Sequence, residues 1–122
     1  MKELLIIGAG GFLGSISRYL LQIIVSVRIP IAFPAGTFLV NILGSLMVGL
    51  FFGYIDKHHW FSTDVRLFLT IGFCGSFTTF STFAFESLEL LKNGDYFNFA
   101  LYAIFSVIVA VIAVWLGYFI VK

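Results

Sequence analysis

Gly72-Phe73-Cys74-Gly75-Ser76-Phe77-Thr78-Thr79-Phe80-Ser81-Thr82-Phe83-Ala84-Phe85-Glu86 is the stretch on which the fold of this chain turns. It lies inside an apolar segment. Yet five hydroxyl side chains, Ser76, Thr78, Thr79, Ser81 and Thr82, are interleaved with Phe73, Phe77, Phe80, Phe83 and Phe85. A helix that only faced lipid would be built mostly from Leu, Ile and Val. Here Gly72 and Gly75 weaken the helix, and the hydroxyls compete for backbone hydrogen bonds. Irregular backbone survives at membrane depth only where protein or a water-lined cavity surrounds it. The pattern predicts a membrane helix broken at a functional site. A close helix–helix seam also uses small and hydroxyl residues, and fits the same string.

The rest of the chain supports the membrane setting. It has 122 residues, 61% hydrophobic and only 11% charged, against roughly 25% charged in soluble domains. Mean hydropathy is +1.09. A spanning helix takes about 20 residues, so the expectation is one all-α membrane domain, 1–122, with four spans and short loops. A net charge of +1 offers no basic patch for nucleic acid. Cys74 is the only cysteine, which excludes an intrachain disulfide and reads as a buried packing residue. The apolar N-terminus is too long for a signal peptide and lacks an A-x-A-like cleavage site, so it reads as a retained first span.

Working outward, the first span is expected over residues 4–27. Gly10 and Gly14 form a small-xxx-small pair that lets backbones approach. Arg18 follows well inside the apolar stretch, where insertion costs about 2.5–3.5 kcal/mol. It either snorkels, with Tyr19 as its anchor, or faces a watery vestibule. Pro30 and Pro34 bracket a stiff connection to a second span at 35–55. There Thr37, Asn41 and Ser45 fall at i, i+4 and i+8, and Gly49 and Gly53 continue the series along one face. Asn41 needs a partner: another helix, water or a solute. The loop from Asp56 to Asp64 is the most polar stretch. His58 and His59 are adjacent and cannot grip a metal from one helix face. Ser62 or Thr63 caps the next helix, and Trp60 and Phe61 read as interface anchors.

The third span, 65–91, carries the opening stretch and ends with Glu86 and Glu89, which read as a solvated mouth. Asn93-Gly94-Asp95 is a turn. In the fourth span, 96–121, Tyr102 and Ser106 make a second short polar stripe, and Trp115 and Tyr118 read as belt aromatics. The Gly8-Ala9-Gly10-Gly11 string has no preceding strand to make a dinucleotide fingerprint. Lys2, Lys57, Arg66 and Lys122 fall on one side of the membrane, Arg28 and Lys92 on the other, with Arg18 between. So weak a bias permits insertion both ways. Four helices are also too few to enclose a pore, which predicts an oligomer. Oppositely inserted partners would have the inverted symmetry that larger transporters obtain from repeats.

Three blocks carry a family resemblance: Gly10-Gly11-Phe12-Leu13-Gly14-Ser15 through Arg18-Tyr19; Gly36-Thr37 with Val40-Asn41 and Gly44; and Gly72 through Phe83 with Glu86. In order, spacing and chain length they resemble the Fluc (CrcB-like) fluoride channels. The resemblance implies an antiparallel, dual-topology homodimer in the bacterial inner membrane, passively exporting fluoride through two pores. It implies a structural sodium ion at the dimer centre, held by backbone carbonyls matching Gly75 and Thr78. It matches Phe80 and Phe83 to the pore phenylalanines, Asn41 to the pore asparagine, and Tyr102 and Ser106 to the polar track. Ala110 stands where the track often has another hydroxyl. Arg18 and Glu86 match polar positions near the vestibules.

The chemistry of these residues is compatible with that role. Fluoride is small and strongly hydrated, so a pore must replace its water with hydrogen-bond donors. Asn41, Tyr102 and the hydroxyls of Thr37, Ser81, Thr82 and Ser106 supply them. Ring edges of Phe80 and Phe83 are electropositive, although packing alone also explains those rings. No ring of cations would trap the anion. A hard cation such as sodium suits carbonyl oxygens freed by a broken helix. The interior-negative potential, about 2.3 kcal/mol per charge per 100 mV, would drive fluoride out. Two other classes fit four short spans. A proton-coupled exporter of cationic drugs needs a buried early carboxylate, but the first span has none after Glu3. A non-transporting scaffold explains the glycines but leaves the polar stripe without a role.

Overall fold

In a computed structural model, the residues described are 1–59 and 61–121. Trp60 and Lys122, read above as an anchor and a terminal charge, lie outside them. The described residues form helices and connections, with no strand: α1 Lys2–Arg28, α2 Ala35–His58, α3 Thr63–Arg66, a π-helical segment Leu67–Cys74, α4 Gly75–Phe77, α5 Phe80–Lys92 and α6 Tyr96–Val121. They make four stretches long and apolar enough to cross a bilayer: Lys2–Arg28, Ala35–His58, Thr63–Lys92 and Tyr96–Val121.

The boundaries follow local chemistry. α1 stops before Pro30, which bars its neighbour from helical backbone. α2 starts directly after Pro34 and ends on His59, whose left-handed backbone (φ 58°) closes the last turn. Ser62 caps α3 by accepting from the Val65 amide at 3.2 Å, with Asp64 in the first turn. The turn after α5 uses Gly94 at φ +73°. Asp95 opens α6 by accepting from the Asn98 amide at 3.3 Å.

Two glycine seams hold the bundle together. Along α2 and α6, Gly49 and Gly53 meet the α6 backbone at Val114 and Tyr118, and Gly117 meets the α2 backbone at Leu46 and Leu50. A Cβ at any of these positions would overlap main-chain atoms. Between α1 and the π-helical segment, Gly10 and Gly72 face each other, and a Cβ on Gly72 would stand 2.8 Å from the Ile7 carbonyl oxygen. In lipid no hydrophobic effect draws helices together. Close backbone approach and the dispersion it allows do so instead. The Thr37–Gly53 stripe therefore has two parts: its glycine end is a packing seam, and its polar end is not. Few side chains are fully buried; Tyr102, Val40 and Cys74 are the largest. Apolar residues such as Phe12, Phe80, Val111 and Ile120 remain exposed, available to lipid or a second subunit.

Candidate functional site

The third span loses its helical path at two residues. Thr78 (φ −82°, ψ 158°) and Thr79 (φ −150°, ψ 120°) are extended between α4 and α5. An interruption at this depth leaves backbone groups that lipid cannot satisfy. Asn41 answers it. Its Oδ1 accepts from the Thr79 amide at 2.8 Å, and its Nδ2 donates to the Thr79 carbonyl at 3.0 Å. These paired bonds fix the amide orientation and leave one Nδ2 hydrogen for another acceptor. Gly44, one turn on from Val40, has no side chain to obstruct Thr78. The Thr79 hydroxyl caps α5, accepting from the Thr82 amide at 3.3 Å. Asn41 is thus both a clamp on the break and a donor beside it.

Two cavities flank this clamp. The first, of about 560 Å³, is bordered by Gln22, Thr37, Thr82, Glu86 and Glu89 under the Ile29–Pro34 connection. The second, of about 470 Å³, is bordered by Asn41, Ser45, Thr78, Thr79, Phe80, Phe83, Ser106 and Ala110. Tyr102 stands at the partition. Its ring lies 4.9 Å from that of Phe83 and 5.3 Å from that of Phe33, and its hydroxyl donates to Glu86 Oε1 at 2.9 Å. Phe80 and Phe83 are 5.6 Å apart. Ser106 Oγ is buried at the wall of the second cavity and has no hydrogen-bond partner in the chain. An unsatisfied buried hydroxyl costs about 1–3 kcal/mol, and Ser106 is the buried side chain at this wall whose hydroxyl pairs with nothing in the described chain. No lysine or arginine borders the second cavity among the described residues.

The structure therefore brings Thr37, Thr82 and Glu86 to one cavity, Asn41, Phe80, Phe83 and Ser106 to the other, and Tyr102 between them. Ser81 is set apart: it is exposed and borders neither. Phe80 is 79% exposed, so most of its surface is uncovered by the rest of the chain. Arg18 turns to the third span and to its own helix. Its Nε donates to the Ser76 carbonyl at 3.1 Å, just before the break, and Nη1 donates to Gln22 at 3.5 Å. Gln22 was missed by sequence reasoning. The available signal was its spacing, one turn after Arg18 and on the same helix face.

A cation at the break would have to be held by neutral oxygens. No three His, Cys, Asp or Glu side chains converge among the described residues. The Thr79 amide would bond the Gly75 carbonyl in an unbroken helix, but here it turns to Asn41. Gly75 itself is exposed. A surface carbonyl released from its helix partner, next to the extended Thr78, suits a hard monovalent cation.

Comparison with known proteins is consistent along the chain. A family model described as CrcB-like protein, Camphor Resistance (CrcB), matches residues 5–118. The chain is 49% identical over 120 residues to a protein of Bacteroides fragilis named fluoride-specific ion channel FluC, covering 96% of this chain and 94% of that one. Proteins of the same name from Phocaeicola vulgatus and Campylobacter lari are 50% identical over 117 residues and 47% over 121. The first alignment covers 96% of each chain; the second covers 98% of this chain and 97% of the relative.

Proposed function

The chain belongs to the CrcB-like family, and we propose that it is a passive fluoride channel that lowers cytoplasmic fluoride. It is a multi-pass protein of the bacterial inner membrane, with four helices of spanning length. The observation that carries the functional reading is the second cavity. It combines an orphan hydroxyl (Ser106), a spare amide hydrogen (Asn41) and two phenylalanines, with no fixed cation. Such a wall replaces the water of a small anion through several weak donors and holds none of it tightly. Tyr102, Thr37 and Thr82 continue the donors toward the vestibule at Glu86.

The active unit in this reading is an antiparallel homodimer with two pores. The exposed Phe80 of each subunit completes a pore wall against the other, and the Gly75 and Thr78 carbonyls of both subunits hold one structural sodium ion. Exposed apolar surface on α1 and α5, and a surface break that lipid cannot solvate, support that assembly. Sodium would supply charge to carbonyls left by the break; it is not transported.

The test is efflux from liposomes containing the purified protein, read with fluoride- and chloride-selective electrodes. Rapid fluoride loss without chloride loss is expected. A folded protein that releases neither ion would overturn the reading. Proton-coupled uptake of a cationic dye, abolished by Glu86→Gln, would replace it with drug export.

A further inference from the structure

Gln22 has no part in the track described so far, yet it makes two polar contacts, one of which ties α1 to α2. Its Nε2 donates to Thr37 Oγ1 at 3.0 Å, and its Oε1 accepts from Arg18 Nη1 at 3.5 Å. The approach is built into the backbone. Gly36 packs against α1 so closely that a Cβ there would stand 3.2 Å from the Gln22 carbonyl oxygen. Thr37 is only 2% exposed.

Counting protons gives these contacts a direction. A threonine or tyrosine hydroxyl has one hydrogen to give. Thr37 accepts from Gln22, so its own hydrogen remains. Tyr102 has committed its hydrogen to Glu86. Of the two hydroxyls, that of Thr37 is therefore the one with a hydrogen still to give. The bonds run from Arg18 to Gln22 to Thr37 on one side, and from Tyr102 to Glu86 on the other.

We propose that Gln22 is a positioning residue for ion passage, fixing Thr37 as a hydrogen donor at the partition between the two cavities. This rests on the fluoride-channel reading. An anion passing the partition needs a hydrogen turned toward it, from Thr37 or from Tyr102. With the Gln22 amide bound to its oxygen, Thr37 turns its hydrogen away from Gln22 and presents it. Without Gln22, nothing from α1 fixes the rotation of the Thr37 hydroxyl, and its hydrogen is free to turn away.

The test is single-channel recording of fluoride current in planar bilayers, which separates conductance from the number of working channels. Gln22→Met keeps length and removes both polar contacts. Loss of one ordinary hydrogen bond at the passage step predicts about a fivefold fall in unitary conductance. Gln22→Asn, as polar but one methylene too short to bridge both partners, should show the same fall. Adding Gln22→Met to Thr37→Val should lower conductance no further. Unchanged unitary conductance in both Gln22 variants, with or without fewer channels, would overturn the proposal. So would a full additional loss in the double variant. Absence of fluoride current from the unmutated protein would instead overturn the channel reading on which the proposal stands.

Discussion

Asn41 shows how one side chain serves structure and passage together. Asn41→Asp keeps an acceptor for the Thr79 amide but loses the donor to the Thr79 carbonyl and the spare hydrogen. It also adds negative charge to the second cavity. Fluoride efflux should fall by more than about tenfold, and the thermal unfolding midpoint in detergent should drop, because an unpaired buried carbonyl costs about 1–3 kcal/mol. A variant that keeps wild-type efflux would remove Asn41 from the path. Phe83→Ile separates a different pair of effects. It deletes a ring edge at the second cavity and the 4.9 Å contact with Tyr102. Aromatic contacts of this kind are worth about 0.5–1.5 kcal/mol, so a modest loss of stability should accompany a much larger loss of fluoride flux. Equal losses in both would mean that Phe83 only packs. His59 offers a test away from the site. Its left-handed backbone strains any side chain, and His59→Gly should stabilise the fold by about 0.5–1 kcal/mol without altering flux, as read by thermal unfolding and efflux together.

Among the elements, the third span and the α2–α6 seam divide the work. The seam is rigid because it is backbone against backbone. Gly49→Ala places a Cβ against the Val114 carbonyl oxygen, and neither main chain can yield without separating the helices. The expected result is a sharp fall in folded protein recovered from the membrane, measured by size-exclusion chromatography; a normal monodisperse yield would contradict the seam. The third span is the opposite case, interrupted where function needs polar backbone. Its string of glycines and hydroxyls was legible as a break because those residue types weaken a helix locally. The partner of the break was not legible. Asn41 and Thr79 are 38 positions apart, and no periodicity within either helix records which face meets the other. The same limit hid Gln22, whose meaning lies in Thr37 on the next helix.

For the whole molecule, the weak charge asymmetry between the two sides permits both orientations, and the proposed antiparallel pair needs both. Lysines added to the Pro30–Pro34 connection in one variant, and to the Asp56–Asp64 loop in another, should bias insertion in opposite senses. Each alone should give little fluoride efflux, and co-expression should restore it. Strong efflux from either variant alone would argue against an antiparallel pair. The proposed sodium belongs to the same scale. Replacing sodium with a bulky organic cation during purification should shift the protein from dimer to monomer in light scattering and abolish efflux. A dimer of full activity would remove sodium from the assembly.

Composition and hydropathy alone determined that this chain is an all-helical membrane protein with four spans, because a bilayer admits few other ways to satisfy a polar backbone beneath apolar side chains. Local residue chemistry also marked the third span as the place to look. Only the tertiary structure decided how the polar stripe divides, with Gly49 and Gly53 sealed against α6 and Thr37, Asn41 and Ser45 opening on cavities. It also joined Arg18 to Thr37 through Gln22, and Tyr102 to Glu86. The physical reason is that helical periodicity places residues on a face, whereas the neighbour that face meets depends on close packing between distant segments.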